Sequence, residues 1–68
     1  MSHVVSSAIR DIDYAPHERR LRVRFTSGAV YDYEGVPNRI SEAFLAAESK
    51  GRYFARRIRD RYTYRRVD

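Results

Sequence analysis

Arg20-Leu21-Arg22-Val23-Arg24-Phe25 alternates cation and apolar side chain without a break. Successive side chains of a strand point to opposite faces, so this run reads as a strand with one buried and one wet face. Thr26-Ser27-Gly28 follows, and Tyr31-Asp32-Tyr33-Glu34 resumes the alternation. A three-residue loop with glycine in its left-handed third position joins two such strands into a hairpin. That loop length sets the register. Phe25 faces Ala29, Val23 faces Tyr31 and Leu21 faces Tyr33 on one side, while Arg22 meets Asp32 and Arg20 meets Glu34 on the other. Opposite charges then fall opposite each other. A two-residue loop instead buries Asp32 against Val23, which costs several times what a turn preference is worth.

The remaining elements follow from the same patterning. Residues 8–14 form a first strand, with Ile12 and Tyr14 on one face and Asp11 and Asp13 on the other. Ala15-Pro16-His17-Glu18 is a turn, because proline presets φ for its second position. Gly35 ends the hairpin, and Pro37 suits the first turn of a helix. Ile40, Ala43, Phe44 and Ala47 recur at the spacing of an amphipathic helix. Gly51 can close that helix in the left-handed conformation, and Ser49 can equally cap a second one with apolar positions Phe54, Ile58 and Tyr62. The predicted fold is α+β: a three-stranded antiparallel meander followed by two short C-terminal helices on one face. Residues 1–62 make the domain and 63–68 a basic C-terminal tail.

A chain of 68 residues has room for one core and no second. It has no cysteine, hence no disulfide and no thiolate metal site. That fits a reducing compartment. The longest apolar run, 43–47, is far too short to span a bilayer, and no basic stretch precedes a long apolar one near the N-terminus. A cytoplasmic protein with no membrane partner is expected.

Charge is unevenly placed. Of fourteen basic residues thirteen are arginine, with Lys50 the exception, and the net charge is +5. Residues 49–68 carry seven arginines and Lys50 against Asp60 and Asp68, a net of +6, whereas residues 1–48 sum to −1. A basic block beside a neutral body is the footprint of a surface for nucleic acid or an acidic partner. Arginine strengthens that reading because its planar fork pairs with phosphate and stacks on rings, although a GC-rich genome also enriches it.

On the second helix, Arg52, Arg56 and Arg59 fall in a narrow arc opposite Phe54 and Ile58. They form either a phosphate-binding face or an ion-paired one, with Glu48 reaching Arg52 and Asp60 reaching Arg56. The tail segment Arg61-Tyr62-Thr63-Tyr64-Arg65-Arg66 interleaves cations with rings, the arrangement that follows a nucleic-acid backbone while stacking on bases; an unstructured arginine tail with no role is the competing reading. Tyr31 and Tyr33 share the face of Leu21 and Val23, so core rings are expected there and a base-stacking platform is the alternative.

Catalytic groups are scarce. His3 and His17 have no adjacent nucleophile with an orienting partner. Asp11 and Asp13 alone make a weak cation site, and they are expected to face solvent or to pair with Arg10. The glycines are too dispersed for a phosphate loop. No enzyme activity, metal or cofactor is expected.

Val4-Val5-Ser6-Ser7-Ala8-Ile9, Ile12-Asp13-Tyr14 and Leu21-Arg22-Val23-Arg24-Phe25 with Gly28 resemble the opening of the KTSC domain. So do Tyr31-Asp32-Tyr33, Val36-Pro37, Ala47-Glu48-Ser49-Lys50-Gly51, Tyr53-Phe54, Ile58 and Tyr62, in order and at the family's spacing. The name refers to the C-terminus of some lysyl-tRNA synthetases, and the domain also stands alone in small bacterial and phage proteins. The resemblance therefore implies a stand-alone member, a fold, and a link to RNA. Two positions depart from the pattern: the family's central Tyr-Arg-Tyr reads Tyr31-Asp32-Tyr33, and the asparagine that often follows the Tyr-Phe pair is Ala55.

The function expected from the sequence is a small, non-enzymatic nucleic-acid-binding domain of low sequence specificity, with RNA as the ligand class. Its contacts come from Arg52, Arg56, Arg59, Arg61, Tyr62, Tyr64, Arg65 and Arg66. The alternative is a protein-interaction module that binds an acidic partner or pairs as a homodimer through a strand edge.

Overall fold

A computed structural model describes residues 8–68; His3 and the Val4-Val5-Ser6-Ser7 segment of the family resemblance lie outside the described residues. The elements in chain order are β1 (Ile9–Ala15), β2 (Arg20–Phe25), β3 (Val30–Tyr33), α1 (Asn38–Ala46), α2 (Lys50–Arg57) and β4 (Tyr64–Arg66). The strands form one antiparallel sheet in the order β1-β2-β3-β4, so the chain lays down a meander, crosses it with two helices and returns to its edge. The fold is α+β with both helices against one face, as expected. The residues read as a tail include a fourth strand.

The hairpin has the register that its loop length demands. Leu21 pairs with Tyr33, Arg22 with Asp32 and Val23 with Tyr31. The Phe25 amide donates to the Ala29 carbonyl (2.9 Å) and the Gly28 amide donates back to the Phe25 carbonyl (2.9 Å). Gly28 has φ +100°, a conformation that only glycine adopts without strain. One pair departs from expectation: the paired ladder stops at Leu21 and Tyr33, so Arg20 does not meet Glu34. Arg20 instead reaches Asp32 and Glu18, both at 3.7 Å. Glu34 lies 3.9 Å from Arg65.

β1 carries a bulge. Ile9 pairs with Phe25 but Asp11 pairs with Arg24, so one extra residue sits on β1. Strict alternation would put Ile9 on the face of Asp11 and Asp13. The bulge turns it to the other face, where it packs against the core. Asp11 accepts from Arg24 (2.9 Å) rather than pairing with Arg10, and Asp13 faces Arg22.

The core joins Leu21, Val23 and Tyr33 of the sheet to Val36, Phe44, Phe54 and Ile58. α1 buries Ser41 and Phe44, while Ala43, expected on its apolar stripe, is exposed. The helix is turned so that its buried line runs through Ser41 and Phe44, with Ile40 half-buried beside it. The Ser41 hydroxyl is satisfied there by donating to the Asn38 carbonyl (2.9 Å). Pro37 occupies the N-cap with extended backbone, one position earlier than a first-turn proline. The Tyr14 hydroxyl donates to the Val36 carbonyl (2.6 Å), fastening the loop before α1 to β1.

Ser49 caps α2, its Oγ accepting from the Arg52 amide (3.2 Å). Gly51 therefore lies inside that helix and is buried, not in a left-handed cap. α1 closes through the Ala47 amide, which donates to the Phe44 carbonyl (3.2 Å), and Lys50 Nζ donates to the Ala47 carbonyl just beyond it (2.9 Å).

Candidate functional site

Where β4 joins the sheet, an aromatic groove opens on the helix side. Tyr33 lies opposite Tyr64, and Tyr31 lies opposite Arg66, so all four side chains share one face. The Tyr31 and Tyr64 rings stack with centroids 5.5 Å apart and 14° between planes. Tyr33 stacks on Tyr31 (6.4 Å) and lies tilted against Tyr64 (5.5 Å). Phe54 meets Tyr33 edge-on (5.5 Å), as Phe25 meets Tyr31 (5.8 Å). These rings, with Arg59 and Asp60 at the rim, enclose an open cavity of about 460 Å³.

The rings differ in exposure, and this decides what each can do. Tyr33 is core, as the register implied, whereas Tyr31 is half-buried and Tyr64 is 53% exposed. Burial, and after it the neighbouring Tyr31 and Tyr64, push the Tyr33 hydroxyl up to about 12; nearby Arg59 opposes the rise and Asp60 adds to it. That hydroxyl remains a neutral donor at any physiological pH.

The eight expected site residues divide among four places. Arg59 and Tyr64 line the aromatic groove, and Arg66 lies on its face. Arg61 and Tyr62 line an adjoining depression that shares Arg59, Asp60 and Tyr64 with it. Arg52 and Arg56 line a separate shallow cleft with Tyr53 and Arg57. Arg65 points to the opposite sheet face beside Asp32 and Glu34. The arc of Arg52, Arg56 and Arg59 is broken because α2 ends at Arg57: Ile58 has φ −124°, and Arg59 leaves the helical spiral. Neither Glu48 nor Asp60 forms the expected pair with Arg52 or Arg56 among the described residues; Asp60 lies 3.9 Å from Arg59.

Arg66 is held by Asp68, with Nε–Oδ1 at 2.7 Å and Nη2–Oδ2 at 3.3 Å. This fork holds the Asp68 carboxyl down at about 2. The Val67 amide donates to the Val30 carbonyl (2.8 Å), and the Glu34 amide donates to the Thr63 carbonyl (2.8 Å), so backbone bonds secure β4 at both ends.

Among the described residues, the far sheet face is lined by charged side chains rather than rings. Asp13, Arg22, Asp32 and Arg65 alternate in charge across all four strands. Arg22 donates twice to Asp32 (2.7 and 3.0 Å). That bond, with weaker attraction from Arg20 and Arg65, holds the Asp32 carboxyl below its ordinary range against the opposing effect of burial.

Sequence reasoning missed the partnership of Tyr31 and Tyr33 with Tyr64, and it missed Asp60 and Phe25 as groove residues. The interleaving of residues 61–66 was the available signal. A strand that long would have declared its face by alternation, but β4 has only three residues.

A model of the KTSC domain matches residues 5–62. The chain belongs to the KTSC domain family. A crystal structure of a KTSC domain protein from Yersinia pestis superposes with a TM-score of 0.87 at 39% identity, covering 93% of this chain and 89% of that one. An uncharacterized protein of Stutzerimonas stutzeri is 42% identical over 64 residues, spanning 93% of this chain and 90% of its own. A lysine–tRNA ligase of a Nostoc species is 34% identical over 61 residues; the match spans 90% of this chain but 11% of the ligase. The small relative and the solved structure agree with a stand-alone KTSC protein. The family match ends at Tyr62, so Tyr64 and Arg66 of the groove lie beyond it.

Proposed function

We propose that this KTSC domain is a non-enzymatic, cytoplasmic binder of single-stranded RNA that stacks bases in the Tyr31–Tyr64 groove. The observation that carries the reading is the exposed Tyr64 ring, held flat on Tyr31 at 5.5 Å and flanked by Arg59, with Arg61 nearby. A preset ring loses little freedom when a base stacks on it, and nearby guanidinium groups meet the phosphates that follow. RNA is chosen over DNA because one group of relatives bears the name lysine–tRNA ligase. Arg59, Arg61 and Arg66 supply phosphate contacts beside the groove. Arg52 and Arg56, on a separate cleft, add to the positive field without meeting the same stretch of strand.

Dimerisation through a strand edge is the weaker reading. β4 is three residues long and presents Arg65 and Arg66, and a bulge interrupts β1 at the other edge. Short, charged or bulged edges are devices that discourage pairing.

Fluorescence anisotropy on a labelled single strand, titrated over a salt series, tests the proposal. Three phosphate contacts give a slope of log affinity against log salt near −2, at ~0.7 per contact. Tyr64→Ala weakens single-strand binding by ~1–3 kcal/mol and barely alters duplex binding, where the bases are not free to stack. Arg65→Ala, on the far face, leaves the slope unchanged. Absence of binding to any polynucleotide at low salt ends the nucleic-acid reading.

A further inference from the structure

We infer that the base held in the aromatic groove is an unpaired guanine, selected by the Asp60 carboxylate at the rim. This rests on the single-strand reading above and adds the identity of the base. Tyr31 and Tyr64 are already in stacking contact, so no base enters between them; a base adds to the outer side of the stack with one edge turned to the rim. A cavity of about 460 Å³ has room for a purine base.

The rim decides which edge is accepted. Asp60 and Arg59 both line the groove, and both act on the Tyr33 hydroxyl at its floor. Asp60 is well exposed, and its ion pair among the described residues, with Arg59, is long at 3.9 Å, so the carboxylate is open to a ligand. An ionised carboxylate only accepts hydrogen bonds and has two oxygens to do so. Guanine alone among the four bases offers two adjacent donors, N1–H and the N2 amino group, on its Watson–Crick edge. Adenine and cytosine offer an amino group beside an acceptor, and uracil offers one donor between two carbonyls. The latter three turn a lone pair toward Asp60 where guanine turns a second proton.

A peptide arginine carries a similar pair of donors. The surroundings disfavour it: Arg59 and Arg61 stand beside the groove, and residues 49–68 carry +6. A polyanion that presents guanine satisfies both the positive surroundings and the single carboxylate.

The test is fluorescence anisotropy of the full chain with four oligouridylates, identical except for G, A, C or U at one central position. The G oligomer is expected to bind about tenfold more tightly than the others, in line with a bidentate base contact. Adenine controls for purine stacking, and inosine, which lacks the N2 amino group, should lose most of the advantage. Asp60→Asn should abolish the preference, bringing the affinity for the G oligomer down to that for the A, C and U oligomers. Equal affinity for all four, or a preference that survives Asp60→Asn, overturns the guanine assignment and leaves the single-strand reading standing. Displacement of bound RNA by an arginine peptide in the wild type, but not in Asp60→Asn, assigns the carboxylate to a guanidinium and also overturns it. No binding of any oligomer removes the single-strand reading and this assignment with it.

Discussion

Leu21, Val23 and Tyr33 on one face of the sheet, and Asp32 on the other, are all nearly inaccessible to water, yet their surroundings differ. The first three are sealed by Val36, Phe44, Phe54 and Ile58, and apolar burial stabilises them with no need of directional partners. Asp32, at 2% exposure, is enclosed by arginines: Arg22 in a fork, with Arg20 and Arg65 nearby. Arginine stems shield apolar and polar surface while their heads stay wet, so a sheet face that neither described helix covers can still exclude water from a carboxylate. The two faces therefore respond to different perturbations. The helix face fails when volume is removed, and the charged face fails when a proton or a partner is changed.

The contrast is strongest at Phe44, which is fully buried between α1 and the sheet. Phe44→Ala is expected to cost ~3–5 kcal/mol through lost transfer energy and a cavity. A domain of this size has about 3–5 kcal/mol in total, so the variant should be largely unfolded by circular dichroism at room temperature. A cooperative melt within a few degrees of wild type would show that the helix face does not carry the stability.

Asp32→Asn tests the charged face. It keeps shape and removes charge, leaving Arg22 without its carboxylate. The expected loss is ~1–2 kcal/mol in urea unfolding, below that of a fully buried pair because Arg22 is partly exposed. A loss as large as that at Phe44 would make the charged face a second core and erase the distinction.

Acid sharpens the same comparison. Asp32 has a folded-state pKa below its unfolded one, so its contribution is complete above the ordinary carboxylate range and disappears as pH falls through the lowered value. Wild-type stability should decline below about pH 4. Asp32→Asn should show a shallower decline over that interval, read from urea midpoints at successive pH values. Asp68 titrates at about 2 but is solvent-facing, so its effect on the same curve should be slight. Parallel curves for wild type and variant would remove Asp32 from the account of acid sensitivity.

The smallest effect belongs to the exposed pair Asp11–Arg24 (2.9 Å) on the same charged face. Arg24→Ala should change stability by less than about 1 kcal/mol, with the difference vanishing at high salt. A larger, salt-resistant loss would mean that the whole charged row, rather than its buried member, acts as a unit.

Local pattern alone determined the β2–β3 hairpin, its loop and its register, because strand alternation, charge pairing and the positive φ of Gly28 all act within fifteen residues of one another. It likewise located the α2 cap at Ser49 and the core roles of Phe44, Phe54 and Ile58. The KTSC pattern was legible in the chain itself. Tertiary structure alone decided the remainder. β4 is too short to show a period, and its partner β3 lies on the far side of two helices in the chain, so no local signal joins Tyr64 to Tyr31. The bulge that turns Ile9 inward, the helix end that takes Arg59 from the arc of Arg52 and Arg56, and the separation of Arg65 from Arg66 depend on how the elements meet. Periodicity reports which side chains share a face of one element. Which faces of distant elements come together is settled by packing, and the groove lies where they meet.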